Sequence, residues 1–334
     1  MKNKYNYMKY RTLGKTGIKS SILGFGAMRL PTIDNNPEHV DINETEMMIE
    51  YAINHGVNIF DTAWVYHTTD RSKPGVSETI LGDILSRGFY DKVHISTKMP
   101  SWEIKSWEYF DTTLDKQLER LKTDTIDLFF VHSIKDSFYE NIKEGGLYEF
   151  VDRAISDGRI KHVCFSTHGS YELLNQILDD YDKWECVLTQ LNYLDETDNT
   201  GLRGVEKINK LGLGTIIMEP LRGGKLAQKQ PSTVQEIFKK SSKSYTPLEW
   251  AFNYLWDKKE VNCVLSGMSS LEQVKENIKL VDKTEIGILS DDDKKILRQV
   301  KEEYDNLNHI KCTSCNYCMP CPHGVNIPKC FREY

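Results

Sequence analysis

Eight short apolar runs recur along the chain, each separated from the next by a stretch with helical spacing. They are Ile22 to Phe25, Val57 to Phe60, Val93 to Ser96, Leu128 to Val131, His162 to Phe165, Cys186 to Leu191, Thr215 to Met218 and Cys263 to Leu265. A strand with one wet face alternates apolar and polar residues. These runs mostly do not alternate, so they read as strands buried on both faces, as in a parallel sheet. Between them the apolar period becomes helical. Ser77 to Ser86 places Ile80, Leu81, Ile84 and Leu85 on one face, and Glu46 to Asn54 does the same with Met47, Met48, Tyr51 and Ala52. Further helices are predicted over Phe110 to Leu121, Tyr148 to Ser156, Tyr171 to Leu178, Gly204 to Leu211, Pro247 to Trp256 and Leu271 to Val281. Eight βα units over about 280 residues predict an α/β fold of the (β/α)8 TIM-barrel type rather than a doubly wound sheet.

The lead-in YRTLGKTGIKS has turn chemistry at Gly14 and Gly17 and is expected to form a hairpin closing the barrel bottom. A further helix is expected from Ser290, where Ser290 and Asp293 have capping-box spacing. Leu297, Val300 and Tyr304 would be its inner stripe. The expected division is a barrel over residues 1–283, then a C-terminal helix and a cysteine-rich segment over 284–334.

Composition narrows the function classes. The net charge is -6 with no basic cluster, which argues against nucleic acid as a partner. No apolar run approaches the ~20 residues of a membrane span. The N-terminus lacks the apolar core of a signal peptide, so cytoplasmic residence is expected. In that reducing compartment eight cysteines are not a disulfide framework. Cys164, Cys186 and Cys263 read as buried and inert, while the other five crowd between Cys312 and Cys330.

Chemistry on such a barrel sits where strands end. Asp61 follows the second run, with Tyr66 five residues on; Lys98 follows the third and His132 the fourth. Taken singly, each has an ordinary use: a loop Tyr packs, an Asp caps, a His is satisfied in the core. Together they can reduce a carbonyl. A phenol is a poor proton donor unless its environment is tuned. A neighbouring ammonium stabilises the tyrosinate and is expected to lower its pKa. A carboxylate keeps that ammonium charged, and an imidazole can orient the carbonyl oxygen.

The stretches NIFDTAWVYH, GVSETILGDILSRG, VHISTKMP and ERLKTDTIDLFFVH resemble the aldo/keto reductase family, over residues 8 to about 283. The resemblance implies an NAD(P)-dependent oxidoreductase acting on a small aldehyde or ketone. Tyr66 would be the general acid, Lys98 its tuner, Asp61 the partner of Lys98, and His132 the orienting group. GFGAMRL implies nicotinamide contacts through Gly26, Ala27, Met28 and Arg29. DGRIKHVCFSTHGS and TQLNY imply carboxamide contacts from Ser166, Thr167 and Gln190. MEPLRGGKL implies Met218 beside the nicotinamide, and Pro220, Leu221, Arg222, Gly224 and Lys225 over the pyrophosphate. SGMSSLEQVKEN implies an adenosine end at Gly267, Ser269, Gln273, Glu276 and Asn277. The helix starting there would offer free amides to a phosphate; its capping-box spacing, Ser270 to Gln273, equally suits a plain capped helix. NADP is the cofactor the resemblance implies first. NAD is the alternative, because no Arg stands beside Ser269, Gln273 and Lys275.

The tail reads C-x2-C-x2-C-x2-C-P through Cys312, Cys315, Cys318 and Cys321. That spacing favours an iron–sulfur cluster over zinc. It is similar to the ferredoxin-like extension on one aldo/keto reductase branch, which implies a 4Fe-4S cluster. Ferredoxin spacing puts three residues before the last cysteine; here there are two, and Cys330 is a substitute ligand. A zinc knuckle or free thiols is the alternative. Two other functions stay open: an electron-transfer subunit with a redox protein partner, and a cofactor-binding regulatory protein. Substrate choice would lie in the loops Tyr66 to Gly75, Pro100 to Trp107 and Leu194 to Leu202, with Trp64, Trp102 and Trp107 as candidate pocket walls.

Overall fold

The structure is a computed structural model that describes residues 8–104, 106–307, 312, 318–319 and 321–333. Eight parallel strands close into a barrel: β3 (Leu23–Gly26), β4 (Ile59–Asp61), β5 (His94–Pro100), β6 (Ile126–Ile134), β7 (Ile160–Thr167), β8 (Cys186–Gln190), β9 (Gly214–Met218) and β10 (Cys263–Gly267). Each pairs with its sequence neighbour, and β10 returns to pair with β3, Val264 opposite Leu23. This is the expected TIM barrel.

Strands β1 (Tyr10–Thr12) and β2 (Lys19–Ser21) form the expected antiparallel hairpin. Its turn needs glycine: Gly14 has φ +49°, and a Cβ there would stand 2.0 Å from Gly214 N. The hairpin drives Leu13 and Ile18 into the barrel lumen. There they join Ile59, Leu128, Phe130, Cys164, Cys186, Leu188, Ile216, Cys263 and Leu265 in an apolar plug. The lumen is therefore a packed core, closed at the N-terminal end of the strands. Burial pushes the Cys164 and Cys263 thiols up, as their apolar surroundings require. Arg11 locks the hairpin by donating to the carbonyls of Lys258 (2.7 Å) and of Trp256 and Val261 (both 2.5 Å).

Helices α1 (Ile42–Asn54), α2 (Ser77–Leu85), α3 (Trp107–Leu121), α5 (Leu147–Ser156), α6 (Tyr171–Asp180), α7 (Gly201–Lys210), α9 (Pro247–Trp256) and α10 (Leu271–Val281) cover the barrel. Helix α9 has Pro247 in its first turn and a complete Thr246–Glu249 capping box, and Asp41, Ser170 and Ser270 cap the starts of α1, α6 and α10. Two short helices, α4 (Tyr139–Glu144) and α8 (Ser232–Phe238), lie in the connections after β6 and β9 and escape the sequence pattern. Helix α11 (Asp291–Leu307) packs on α8 and buries Leu297, Val300 and Tyr304. Ser290 and Asp293 form the expected reciprocal cap, with an Asp in place of the usual Glu. A last helix, α12, spans Ile327–Glu333.

Candidate active site

Parallel pairing of β4 with β5 and β5 with β6 brings three strand ends side by side, with Asp61 opposite Ser96 and Pro100 opposite His132. Lys98 projects from β5 and is fully buried. Its Nζ donates to Asp61 Oδ2 at 2.5 Å, to the Thr62 carbonyl at 2.7 Å and to Tyr66 Oη at 3.0 Å. Ser96 Oγ holds the other Asp61 oxygen at 2.6 Å. A buried ammonium has to be paired and hydrogen-bonded in this way to remain charged. The His132 ring lies edge-on to Tyr66, centroids 6.0 Å apart, and Trp102 tilts against His132 at 5.4 Å. All four residues expected to carry the chemistry are thus brought together.

The electrostatics differ from the sequence-based expectation in one respect. The phenol of Tyr66 is pushed well above its ordinary value, not lowered. Burial is the main cause; Asp61 and then Glu219 add to it, and Arg71 and Arg29 oppose it. Burial, then Lys98, His168 and Arg71, hold His132 well below the ordinary imidazole value. At neutral pH the site presents a protonated phenol and a neutral imidazole.

A cavity of about 490 Å³ opens beside Asp61 and Tyr66 and is lined from the ends of β9, β10 and β3 to the start of α10. Of the residues implied for the cofactor, Gly26, Met28, Arg29, Met218, Pro220, Leu221, Gly224, Gly267, Ser269, Gln273, Glu276 and Asn277 line it. The others do not line it. The Ala27 carbonyl accepts from Ser77 Oγ, Ser166 Oγ accepts from Ser133 N, and Thr167 Oγ1 donates to the Ile134 carbonyl. Gln190 donates to Asp195, Arg222 pairs with Asp195 at 3.4 Å, and the Lys225 ammonium lies 5.4 Å from the Tyr304 ring centroid. His168, Glu219, Ser266, Gly223 and Gln228 also line the cavity, and the sequence assigned them no role. A polar residue directly after a barrel strand was the available signal for His168 and Glu219.

The cavity suits a dinucleotide in size and floor. Its volume falls within the ~300–1,000 Å³ of cofactor sites. Gly26 and Gly267 face each other in register, and a side chain on either would crowd the floor: a Cβ on Gly26 would lie 3.3 Å from the Ser266 carbonyl oxygen, and one on Gly267 3.3 Å from Arg29 Cδ. The amides at the start of α10 are not free as expected. Ser269 N donates to Gln273 Oε1, Leu271 N to Glu44 Oε1, and Gln273 N to Ser270 Oγ.

In the tail, Cys312 and Cys321 are partly exposed thiols and Cys318 and Cys330 exposed ones; Cys315 lies outside the described residues. Among the described residues, no three His, Cys, Asp or Glu side chains are gathered to hold a metal. The described thiols do not by themselves form a ligand set.

A closed barrel carrying buried Asp61, Lys98 and His132 and a half-buried Tyr66 beside a dinucleotide-sized cavity defines a barrel oxidoreductase. The aldo/keto reductase family model matches residues 22–302, and the chain belongs to that family. It is similar to L-galactose dehydrogenase of Arabidopsis thaliana, 26% identical over 300 residues, covering 83% of this chain and 89% of that protein. It is also similar to 6-dehydroglucose reductase of Novosphingobium aromaticivorans, 28% identical over 233 residues, covering 66% and 71%. The holo form of aldo-keto reductase AKR11C1 from Bacillus halodurans shares the fold with a TM-score of 0.72 at 22% identity, covering 88% of this chain and 96% of that one. Among the described residues no helix is long and apolar enough to cross a membrane.

Proposed function

We propose that the protein reduces a small aldehyde or ketone to an alcohol with NAD(P)H, Tyr66 giving the proton. The observation that carries this reading is the hydrogen bond from Lys98 Nζ to Tyr66 Oη at 3.0 Å. Because the ammonium donates to Oη, the phenol's own proton is free to be given to a substrate oxygen. When bound, the dihydronicotinamide supplies the hydride. Gly26, Met28, Arg29 and Met218 would hold its reactive end, and Ser269, Gln273, Glu276 and Asn277 the adenosine end. Lys98, kept charged by Asp61, stabilises the tyrosinate left behind. His132, neutral, orients the substrate oxygen.

NADP is the assignment we carry, on the family resemblance. One observation favours NAD instead: the amides of Ser269, Leu271 and Gln273 already have acceptors, and Glu276 lines the same end of the cavity. For the tail we propose a 4Fe-4S cluster on Cys312, Cys315, Cys318 and Cys321, supported by their spacing alone, with a redox protein as its partner. Iron and sulfide assays on anaerobically purified protein test it; a preparation free of both rejects it. Cytoplasmic residence belongs to the same proposal.

The deciding experiment is a carbonyl panel run with NADPH and with NADH. It includes sugar aldehydes, because L-galactose dehydrogenase and 6-dehydroglucose reductase are named for sugars. Turnover of at least one carbonyl is expected. Cofactor binding without turnover of any, or oxidation only with a one-electron dye, would overturn carbonyl reduction in favour of a regulatory or an electron-transfer role.

A further inference from the structure

Helix α2 buries a carboxylate that the chemistry above does not use. Glu78 is fully buried. Its Oε1 accepts from Thr97 Oγ1 at 2.6 Å and from Gln117 Nε2 at 2.8 Å, and its Oε2 accepts from Arg120 Nε at 2.9 Å. Gln117 and Arg120 stand three residues apart on α3, so one face of that helix delivers both donors to one carboxylate. Burial pushes Glu78 up, and Thr97, Arg120 and Gln117 pull it back.

Two arms leave this carboxylate. Through the first, Gln117 Nε2 also donates to the Lys98 carbonyl at 3.2 Å, which is the peptide that carries the ammonium. Through the second, Arg120 donates from Nη2 to the Gly75 carbonyl. Gly75 N donates to the Trp64 carbonyl at 2.7 Å, and Ser77 N to the Tyr66 carbonyl at 3.3 Å. Gly75 lies so close that a Cβ on it would stand 1.9 Å from the Tyr66 carbonyl oxygen. The first arm therefore ends on the backbone of Lys98, and the second on Gly75, which packs directly against the backbone of Tyr66; the side chains of Lys98 and Tyr66 meet at 3.0 Å.

We infer that Glu78 is a positioning residue: through Gln117 and Arg120 it sets the separation of the Tyr66 phenol and the Lys98 ammonium. The inference rests on Tyr66 being the proton donor. Proton transfer is steeply sensitive to placement, and a shift of ~1 Å caused far from the chemistry can cost on the order of 100-fold. Glu78→Gln keeps an acceptor for Thr97 and Gln117 but loses the charge that holds Arg120.

The test compares Glu78→Gln, Gln117→Met, Arg120→Met and Tyr66→Phe with the parent enzyme, using the best substrate of the carbonyl panel. The readouts are kcat, KM, dinucleotide Kd by fluorescence titration, the pH profile of kcat and the melting temperature. Glu78→Gln is expected to lower kcat by on the order of 10- to 100-fold. KM and dinucleotide Kd should stay within about twofold, and the basic limb of the kcat profile should move. If Glu78→Gln melts early yet keeps the parent kcat and pH profile, the residue is structural only and the inference is overturned. If that variant does not fold, Gln117→Met and Arg120→Met decide, since each leaves Glu78 in place and cuts one arm. Parent-like kcat and pH profile in both would overturn the inference. Full turnover in Tyr66→Phe would instead overturn the proton-donor reading, and the positioning role with it.

Discussion

Lys98 Nζ stands 2.5 Å from Asp61 Oδ2, with the two side chains only 1% and 4% exposed. Removing one partner leaves a buried charge alone, which costs about 3–5 kcal/mol. Asp61→Asn is therefore expected to lose that much stability in urea unfolding, together with most turnover. The double change Asp61→Leu, Lys98→Met removes both charges and should recover much of the stability but none of the activity. A single variant as stable as the parent would show that the pair is not carrying a buried charge.

Tyr66→Phe keeps the ring that packs edge-on against His132 and removes only the hydroxyl. We expect kcat to fall by roughly 10²- to 10⁴-fold, the usual contribution of a positioned acid. Dinucleotide affinity should be unchanged within about twofold, measured by titration. A matching loss of affinity would place the hydroxyl in cofactor binding rather than in proton transfer.

Gly75→Ala would place a methyl group 1.9 Å from the Tyr66 carbonyl oxygen, so the Tyr66 loop has to move. Overpacking of this kind costs about 1–3 kcal/mol. The expected outcome is a lower melting temperature together with a kcat reduced about tenfold or more. An unchanged kcat would mean that the loop absorbs the methyl group without moving the phenol.

Burial, followed by the charge of Lys135, holds His168 down at about 4 against an ordinary 6.5. His132 is held lower than its ordinary value as well. Over that window the unfolded chain binds protons that the folded one refuses. The stability that the neutral His168 imidazole contributes is complete above pH 6.5 and is lost as pH falls toward 4, and His132 acts in the same direction. His168 alone accounts for at most ~3 kcal/mol. Urea unfolding at a series of pH values should show the parent losing stability across this window, and His168→Gln losing less. Parallel declines would remove His168 as a cause.

The barrel was legible because buried parallel strands are written as uninterrupted apolar runs. Its strand ends were not. β6 reaches from Ile126 to Ile134, but Asp127, His132 and Ser133 interrupt the apolar pattern that marks only Leu128 to Val131. Asp127 belongs in the strand because its carboxylate accepts from Ile95 N at 3.0 Å, a contact with no signature in local sequence. That Asp61, Tyr66, Lys98 and His132 come together was legible for a different reason: their types and their places after successive strands suit one reaction. The direction of the Tyr66 shift was not, because it depends on how deeply the phenol is buried. Ser166, Thr167 and Gln190 stand at the expected strand ends, yet their polar atoms satisfy neighbouring backbone and side chains. Residue type and position do not specify which way a side chain turns.

The N-terminal hairpin has a consequence for how the molecule is made. Arg11 reaches the Lys258 carbonyl, 247 residues further along the chain. Strand β3 likewise waits for β10. A ribosome releases the first of these long before the last. Until the distal partner emerges, β3 presents a bare edge, the feature that invites wrong pairing. The barrel can thus assemble from β3 through β9 as the chain lengthens, but it cannot be sealed until translation has passed the tenth strand. Nascent chains halted before β10 therefore expose the edges of both β3 and β9, which β10 covers in the finished barrel.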